Sequence, residues 1–392
     1  MKILSVVDDR RIHSKNILAE CTFKEYLSFA RHIKDNNDFQ RKRIKTSKTV
    51  YSLLKEDLEQ GCVIPPIVLA IAIDYDGQEK DDLYEFIIKN KDSVMILDGL
   101  QRTYTLIDAD NEMKDKESTI YDGFNLNKLR LEIYTDINKF GILYRMLTLN
   151  TGQTPMSLRH QLEMLYSNML NEDIEGVKLV KDTDGKADAD ENEFVFKNTI
   201  DGFNSYLTRS ELPIDREELL DNIRILEKMA DEPTDEDLFK DYLNCYVNVF
   251  NALKTITNSY EINQDDLDEY KVSGNPFGKK ATKIFSTSQA MTGFGAAIGK
   301  LKDADIIDSF KDVDVIMERL LQLQNGDYEY EWMIMLVRNL DLIRNTSKKI
   351  GNAQRMFFQY FFRELLNSES DSYLNLNNAV ENAFQKYLSQ VA

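Results

Sequence analysis

The stretch Val94-Met95-Ile96-Leu97-Asp98-Gly99-Leu100-Gln101-Arg102 decides how the first part of this chain is read. Ser93 to Leu97 is a short, largely apolar run of strand length. It stops at an Asp-Gly turn, and helical periodicity follows from Thr103 to about Glu112. A strand that enters a tight glycine turn and then a helix offers an anion site. Unpaired backbone N–H groups and the positive end of the helix dipole point into the same space. Arg102 would add a planar fork suited to phosphate oxygens. The plain alternative is a strand–turn–helix connection in which Asp98 caps the helix.

Strands and helices alternate around this turn. Thr22 to Asp35 carries Phe23, Tyr26, Leu27, Phe29, Ala30 and Ile33 at helical spacing. A basic cluster follows, Arg41, Lys42, Arg43, Lys45 and Lys48, and then a predicted helix from Thr49 to Glu59 with Gly61 as its cap. Pro65-Pro66 suits a strand start, and the β-branched run Ile67 to Ile73 suits a buried strand. Tyr84 to Lys89 reads as a further short strand, Leu129 to Tyr134 as an alternating one, and Asn138 to Leu149 as a helix. Thr154 and Pro155 look like the N-cap and first position of the next helix. Beyond them the pattern is almost entirely helical: Glu217–Ala230, Asp237–Thr255, Val313–Gln324, Glu331–Arg344 and Ala353–Leu366. Lys181 to Glu193 is acidic and rich in small residues, which predicts a solvent-exposed insertion.

With 392 residues the chain has room for two or three domains. Only 6 Pro and 16 Gly argue for many helices rather than a loop-rich β protein. The formal charge of −18 repels a polyanion on average. Any DNA contact must therefore come from a local basic patch, for which Lys42, Arg43, Lys45 and Lys48 are the candidates, with a solvated face as the ordinary alternative. No apolar run approaches the ~20 residues that span a bilayer, so no membrane contact is expected. The apolar part of Met1 to Asp9 is too short for a signal peptide. Cys21, Cys62 and Cys245 are odd in number and far apart, which suits reduced thiols in a cytoplasmic protein.

Four segments in order carry a family likeness: Phe39-Gln40-Arg41, Ile64-Pro65-Pro66-Ile67-Val68-Leu69, Leu97-Asp98-Gly99-Leu100-Gln101-Arg102-Thr103-Tyr104-Thr105-Leu106, and Leu147-Thr148-Leu149-Asn150-Thr151-Gly152-Gln153-Thr154-Pro155-Met156-Ser157. Together, over about residues 38 to 163, they resemble the ParB/sulfiredoxin-like superfamily. Within it they resemble the DGQQR and DGQHR proteins of DNA modification, restriction and phage defence. The resemblance implies an α+β first domain with a small mixed sheet, residues 1–165. A mostly α-helical domain, residues 166–392, would follow and serve oligomerisation or partner docking. It also implies binding of a nucleoside triphosphate with Mg²⁺, often with hydrolysis. By that likeness Gly99 and Arg102 hold phosphates, and Asp98 orients the loop, the Mg²⁺ or its waters. Gln101 contacts phosphate or positions water, and Arg41 and Asn150 close the pocket. Phosphoryl transfer fits such a set, because it needs positioning and charge neutralisation more than a protein nucleophile.

Three departures shape the expectation. The family loop's first Gln is Leu100 here, and an apolar side chain binds neither phosphate nor water. The loop holds no cysteine, which argues against the sulfiredoxin reaction. The only histidines, His13, His32 and His160, lie in distant segments and make no His-Asn-His nuclease. The expectation is thus a nucleotide-binding protein, with triphosphate hydrolysis open, in a DNA-linked bacterial or phage process. The alternative is a non-catalytic regulator that binds DNA or a protein on the same fold.

Other motifs read as structural. Gly274-Asn275-Pro276-Phe277-Gly278-Lys279-Lys280 has the wrong spacing for a P-loop and reads as a basic turn before a helix. Gly293, Gly295 and Gly299, with Ala296 and Ala297, have no strand before them and read as close helix packing. Asp182, Asp184, Asp188, Asp190 and Glu193 share some offsets of a calcium loop, but the glycine comes two positions early and Lys186 fills a ligand slot. His160, near Arg159, reads as a surface or capping histidine.

Overall fold

The β-branched run after Pro65-Pro66 is strand β3 (Ile67–Ile71), buried along its whole length. The computed structural model of the protein describes residues 1–36, 48–75, 83–149, 159, 162–163, 166–171, 174, 176–181, 187–212, 238–274, 277–324 and 330–391. The chain divides into two compact units, Met1–Leu165 and Tyr166–Ala392. It is an α+β protein, with a mixed five-stranded sheet first and a mostly helical region after it. Among the described residues no helix is long and apolar enough to cross a membrane.

The first sheet runs in the order β1-β2-β5-β3-β4, with β1 Lys2–Asp9, β2 Ser14–Thr22, β4 Val94–Asp98 and β5 Lys128–Thr135. Only the β3–β5 pair is parallel. Strand residues alternate between faces, so Ile17, Ala19, Leu69, Ile96, Leu131 and Ile133 point to one side. There they join Phe23, Tyr26, Phe29 and Ile33 of α1 (Phe23–Asn36), Leu58 of α2 (Lys48–Glu59), and Leu106, Ala109 and Met113 of α4 (Leu100–Met113) in one core. Buried Asp110 of α4 ties three helices, accepting from Arg31 of α1, from Tyr121 of α5 (Ser118–Leu126) at 3.0 Å and pairing with Lys114 at 3.0 Å. Helix α6 (Lys139–Leu149) follows β5, as its spacing implies.

Three expectations are corrected here, and one hairpin is added. Tyr84 to Lys89 is helical: α3 (Leu83–Lys89) buries Leu83 and Ile87, a four-residue spacing that an apolar run this short does not distinguish from a strand. The hairpin β1–β2 is not anticipated by the pattern, because its turn through Arg10 to His13 lacks the usual glycine and instead places His13 at φ 49°. Helix α4 begins at Leu100, three residues before the periodicity suggests. The second unit is mostly helical, as expected, with one short parallel pair, β6 (Lys178–Val180) and β7 (Glu193–Val195). Between them Ala189 is buried, so the described part of Lys181–Glu193 is anchored by its small side chain rather than wholly solvated. Glu217–Ala230, Asp182–Lys186, the Thr154-Pro155 cap and His160 lie outside the described residues.

The second unit is built around a buried helix whose glycines let its neighbours come close. Helix α11 (Ser288–Asp303) follows α7 (Phe196–Thr208), α8 (Leu238–Ile256), α9 (Gln264–Glu269) and the short α10 (Ala281–Phe285). It is buried on all sides from Ala290 to Gly299. A Cβ on Gly295 would lie 2.1 Å from the Gly202 carbonyl oxygen of α7, and one on Gly293 would lie 2.5 Å from Phe358 Cβ of α14 (Ile350–Leu366). The small residues therefore do let backbones approach, as their spacing implies. Helices α12 (Phe310–Gln324), α13 (Glu331–Thr346) and α15 (Leu376–Val391) complete the unit. An aromatic core of Phe203, Tyr206, Tyr242, Phe294, Phe285 and Trp332 fills its interior. The Gly274 turn leads into α10, as expected, with Lys280 paired to Glu261.

Burial separates the three thiols. Cys21 and Cys245 are buried, and burial pushes the Cys21 thiol up to about 12 and raises that of Cys245 as well. Cys62 is exposed. Since the thiolate is the reactive form, one thiol per native chain should react quickly with a maleimide at mildly alkaline pH, and peptide mass spectrometry should place it at Cys62. The other two should react only on denaturation; fast labelling of Cys21 in native protein would contradict this burial.

Candidate functional site

The turn from β4 to α4 is set by glycine. Gly99 stands at φ 96°, the left-handed region, and a Cβ there would meet Ile67 Cγ1 at 3.0 Å and Ile67 Cα at 3.3 Å. Both the dihedral and the close approach to β3 require the missing side chain. Gly99 is itself the N-cap, so the reading of Asp98 as the helix cap is not met.

Asp98, the last residue of β4, instead pairs across the turn with Arg102 in the first turn of α4. The guanidinium is held from a second side as well: its Nη1 donates to the carbonyls of Pro65 at 2.8 Å and Pro66 at 3.0 Å, while its Nη2 donates to Asp98 Oδ2. Arg102 thus staples the turn to the start of β3. Its side chain keeps 16% of its exposure and that of Asp98 keeps 22%. Thr103 adds a second tie. Its N–H and its hydroxyl both donate to the Gly99 carbonyl, at 2.9 and 3.1 Å. The Thr103 hydroxyl also shares a 2.6 Å hydrogen bond with the buried Tyr26 hydroxyl of α1. Burial raises the Tyr26 pKa, which keeps its hydroxyl protonated.

No side chain caps α4, so the first-turn N–H groups of Leu100, Gln101 and Arg102 make no hydrogen bond among the described residues. Leu100 packs against the core of the first unit, which explains an apolar residue at that position. The Gln101 side chain is half-buried and its amide makes no hydrogen bond among the described residues. Asp98 Oδ1 likewise accepts no hydrogen bond among the described residues. Arg41, Lys42, Arg43, Lys45 and Asn150 lie outside the described residues. Lys48 is the first residue of α2. Among the described residues no group of three or more His, Cys, Asp or Glu could hold a metal ion.

Sequence reasoning missed a polar chain on the other face of the sheet. The register Leu18–Glu132, Glu132–Val68 and Val68–Asp98 puts Glu132 and Asp98 on one face. They are two strands apart, roughly 10 Å. Glu132 Oε1 accepts from Asn16 Nδ2 at 2.9 Å and from the Tyr134 hydroxyl at 2.6 Å. Burial first, and the bond to Glu132 second, raise the Tyr134 pKa and keep it a donor. Arg145 of α6 lies 4.8 Å above the Tyr134 ring and pairs with Asp9 of β1. The alternation Arg130, Glu132, Tyr134 against Leu129, Leu131, Ile133 was the available signal.

No family model, curated protein or solved structure matches this chain.

Proposed function

We propose that the first unit binds the phosphates of a nucleoside triphosphate at the N-terminus of α4, as a ParB/sulfiredoxin-like domain acting in a DNA-linked bacterial or phage process. The observation that carries this reading is the uncapped first turn of a fourteen-residue helix beside Asp98 and Arg102. Three N–H donors, a helix dipole and a fixed guanidinium form an anion site. Asp98 Oδ1 would hold Mg²⁺ through its waters, and Gln101 would meet a phosphate oxygen or a water. Leu100 offers neither, so the reading favours binding with slow or absent hydrolysis. The basic segment Arg41 to Lys48 would supply the DNA contact that a −18 chain otherwise repels.

The bonds of Arg102 favour a second reading. Two carbonyls and a carboxylate already satisfy much of its fork. A regulator could use the turn purely as structure and bind DNA or a protein elsewhere. One screen separates the two. Melting is followed with ATP, GTP, CTP and UTP, with and without Mg²⁺. A ligand at a hundred times its Kd adds ~2.7 kcal/mol, a readily visible shift. The nucleotide reading expects a shift for at least one of them, lost in Arg102→Ala. No shift for any nucleotide, with salt-dependent DNA binding lost on Lys→Glu changes at Lys42, Lys45 and Lys48, would establish the regulator instead.

A further inference from the structure

The two edges of the five-stranded sheet are finished differently. At one edge the side chains of β4 are packed away, with Val94, Ile96 and Leu97 buried. At the other, β1 is bare: Leu4, Val6 and Val7 keep 44%, 51% and 59% of their exposure. Protein edges are normally blunted by a charge, a proline or a covering element, because a bare edge is a template for another strand. From Ile3 to Val7 there is no charge and no proline. One bulge between Ile3 and Ser5 twists the strand without ending its pairing with β2.

The charges of β1 sit at its ends and have opposite signs. Lys2 opens the strand and Asp8 and Asp9 close it. Asp9 is paired with Arg145, but Lys2 and Asp8 are exposed and make no ion pair among the described residues. A second copy laid antiparallel along β1 brings the Lys2 end of each strand to the Asp8 end of the other, twice across the two-fold axis. A parallel copy would set Lys2 against Lys2 and Asp8 against Asp8. We infer that two copies of this chain join β1 to β1, antiparallel, into one continuous ten-stranded sheet, with Leu4, Val6 and Val7 covered at the seam. Backbone hydrogen bonds supply the attraction and the end charges select the direction. Self-association is thereby placed on the sheet edge of the first unit rather than on the helical unit, and it is independent of what the α4 turn binds. A seam of one strand pair is small beside a standard interface of about 1,600 Å², so association in the micromolar range is expected.

Sedimentation velocity on the full chain tests this, with no residues added before Met1. The wild type should reach twice the mass of one chain at micromolar concentration and above. Val6→Lys, which puts a charge in the seam, should remain a monomer. Lys2→Asp and Asp8→Lys should each weaken the dimer by roughly tenfold or more, and the double exchange Lys2→Asp/Asp8→Lys should restore it. The exchange tests the idea even if Val6→Lys folds poorly, since both residues are exposed. A wild type that stays monomeric throughout would overturn the inference. So would a dimer that Val6→Lys leaves intact, or a double exchange that restores nothing.

Discussion

The Gly295→Ala variant is expected to lose roughly 10 °C of melting temperature in the helical unit. Alanine is the better helix former by about 1 kcal/mol, so propensity alone predicts a gain. Space decides otherwise. The new methyl would sit 2.1 Å from the Gly202 carbonyl oxygen and 2.9 Å from the Tyr206 amide nitrogen, both backbone atoms of α7. Neither can rotate away, so α7 must part from α11 and loosen the aromatic core around Phe203, Tyr242 and Phe294. Overpacking costs about 1–3 kcal/mol where side chains can yield and more where they cannot. We expect a net loss of about 3 kcal/mol, and each kcal/mol moves the midpoint of a unit this size by about 2–4 °C. Trp332 is the only tryptophan and is buried in this unit, so its fluorescence reports this transition specifically. The comparison is Gly123→Ala in α5, where a Cβ meets nothing within 4 Å. There propensity acts alone, and a gain of about 0.5–1 kcal/mol is expected in the first unit. A Gly295→Ala protein that melts within a degree or two of wild type would mean that α7 and α11 are not in backbone contact.

These glycines show what kind of feature a sequence displays. Small residues at Gly293, Gly295 and Gly299 without a preceding strand leave close packing as the consistent reading, because local spacing carries the information. The run Ile67 to Ile71 and the helices at α1, α2 and α4 are legible for the same reason. Leu83 to Lys89 is not, since seven residues hold too few periods to separate two from 3.6. The site divides along the same line. The Asp98–Arg102 pair is local, four residues apart across the β4–α4 turn. The bonds from Arg102 to the Pro65 and Pro66 carbonyls span 37 and 36 residues. They appear only once β3 lies beside β4. The Glu132 chain depends in the same way on β2 and β5 being neighbours, with Asn16 and Glu132 separated by 116 residues.

Arg102→Ala should therefore act on stability as well as on binding, and the two effects can be told apart. The substitution leaves the Pro65 and Pro66 carbonyls without their donor and strips the Asp98 carboxylate of its partner. Fully buried pairs broken on one side cost about 3–5 kcal/mol, while exposed pairs cost 1 or less. Arg102 and Asp98 keep about a sixth and a fifth of their side-chain exposure, so an intermediate loss of about 2 kcal/mol is expected. Cys21 is buried in the first unit, and the denaturant concentration at which it becomes open to maleimide reads that loss without contribution from the helical unit. Arg102→Lys keeps the charge but lacks the planar fork that reaches Asp98 and both carbonyls together. A clamp predicts that Lys recovers less than half of the lost stability. A phosphate ligand acting as a point charge predicts that Lys recovers most of any nucleotide-induced shift. Stability lost in both variants with a nucleotide shift kept in Arg102→Lys would assign Arg102 both roles, the staple of the turn and the cation beside the bound phosphates. Stability unchanged in Arg102→Ala would remove the clamp, and the geometry of the β4–α4 turn would then have to rest on Gly99, Thr103 and Tyr26 alone.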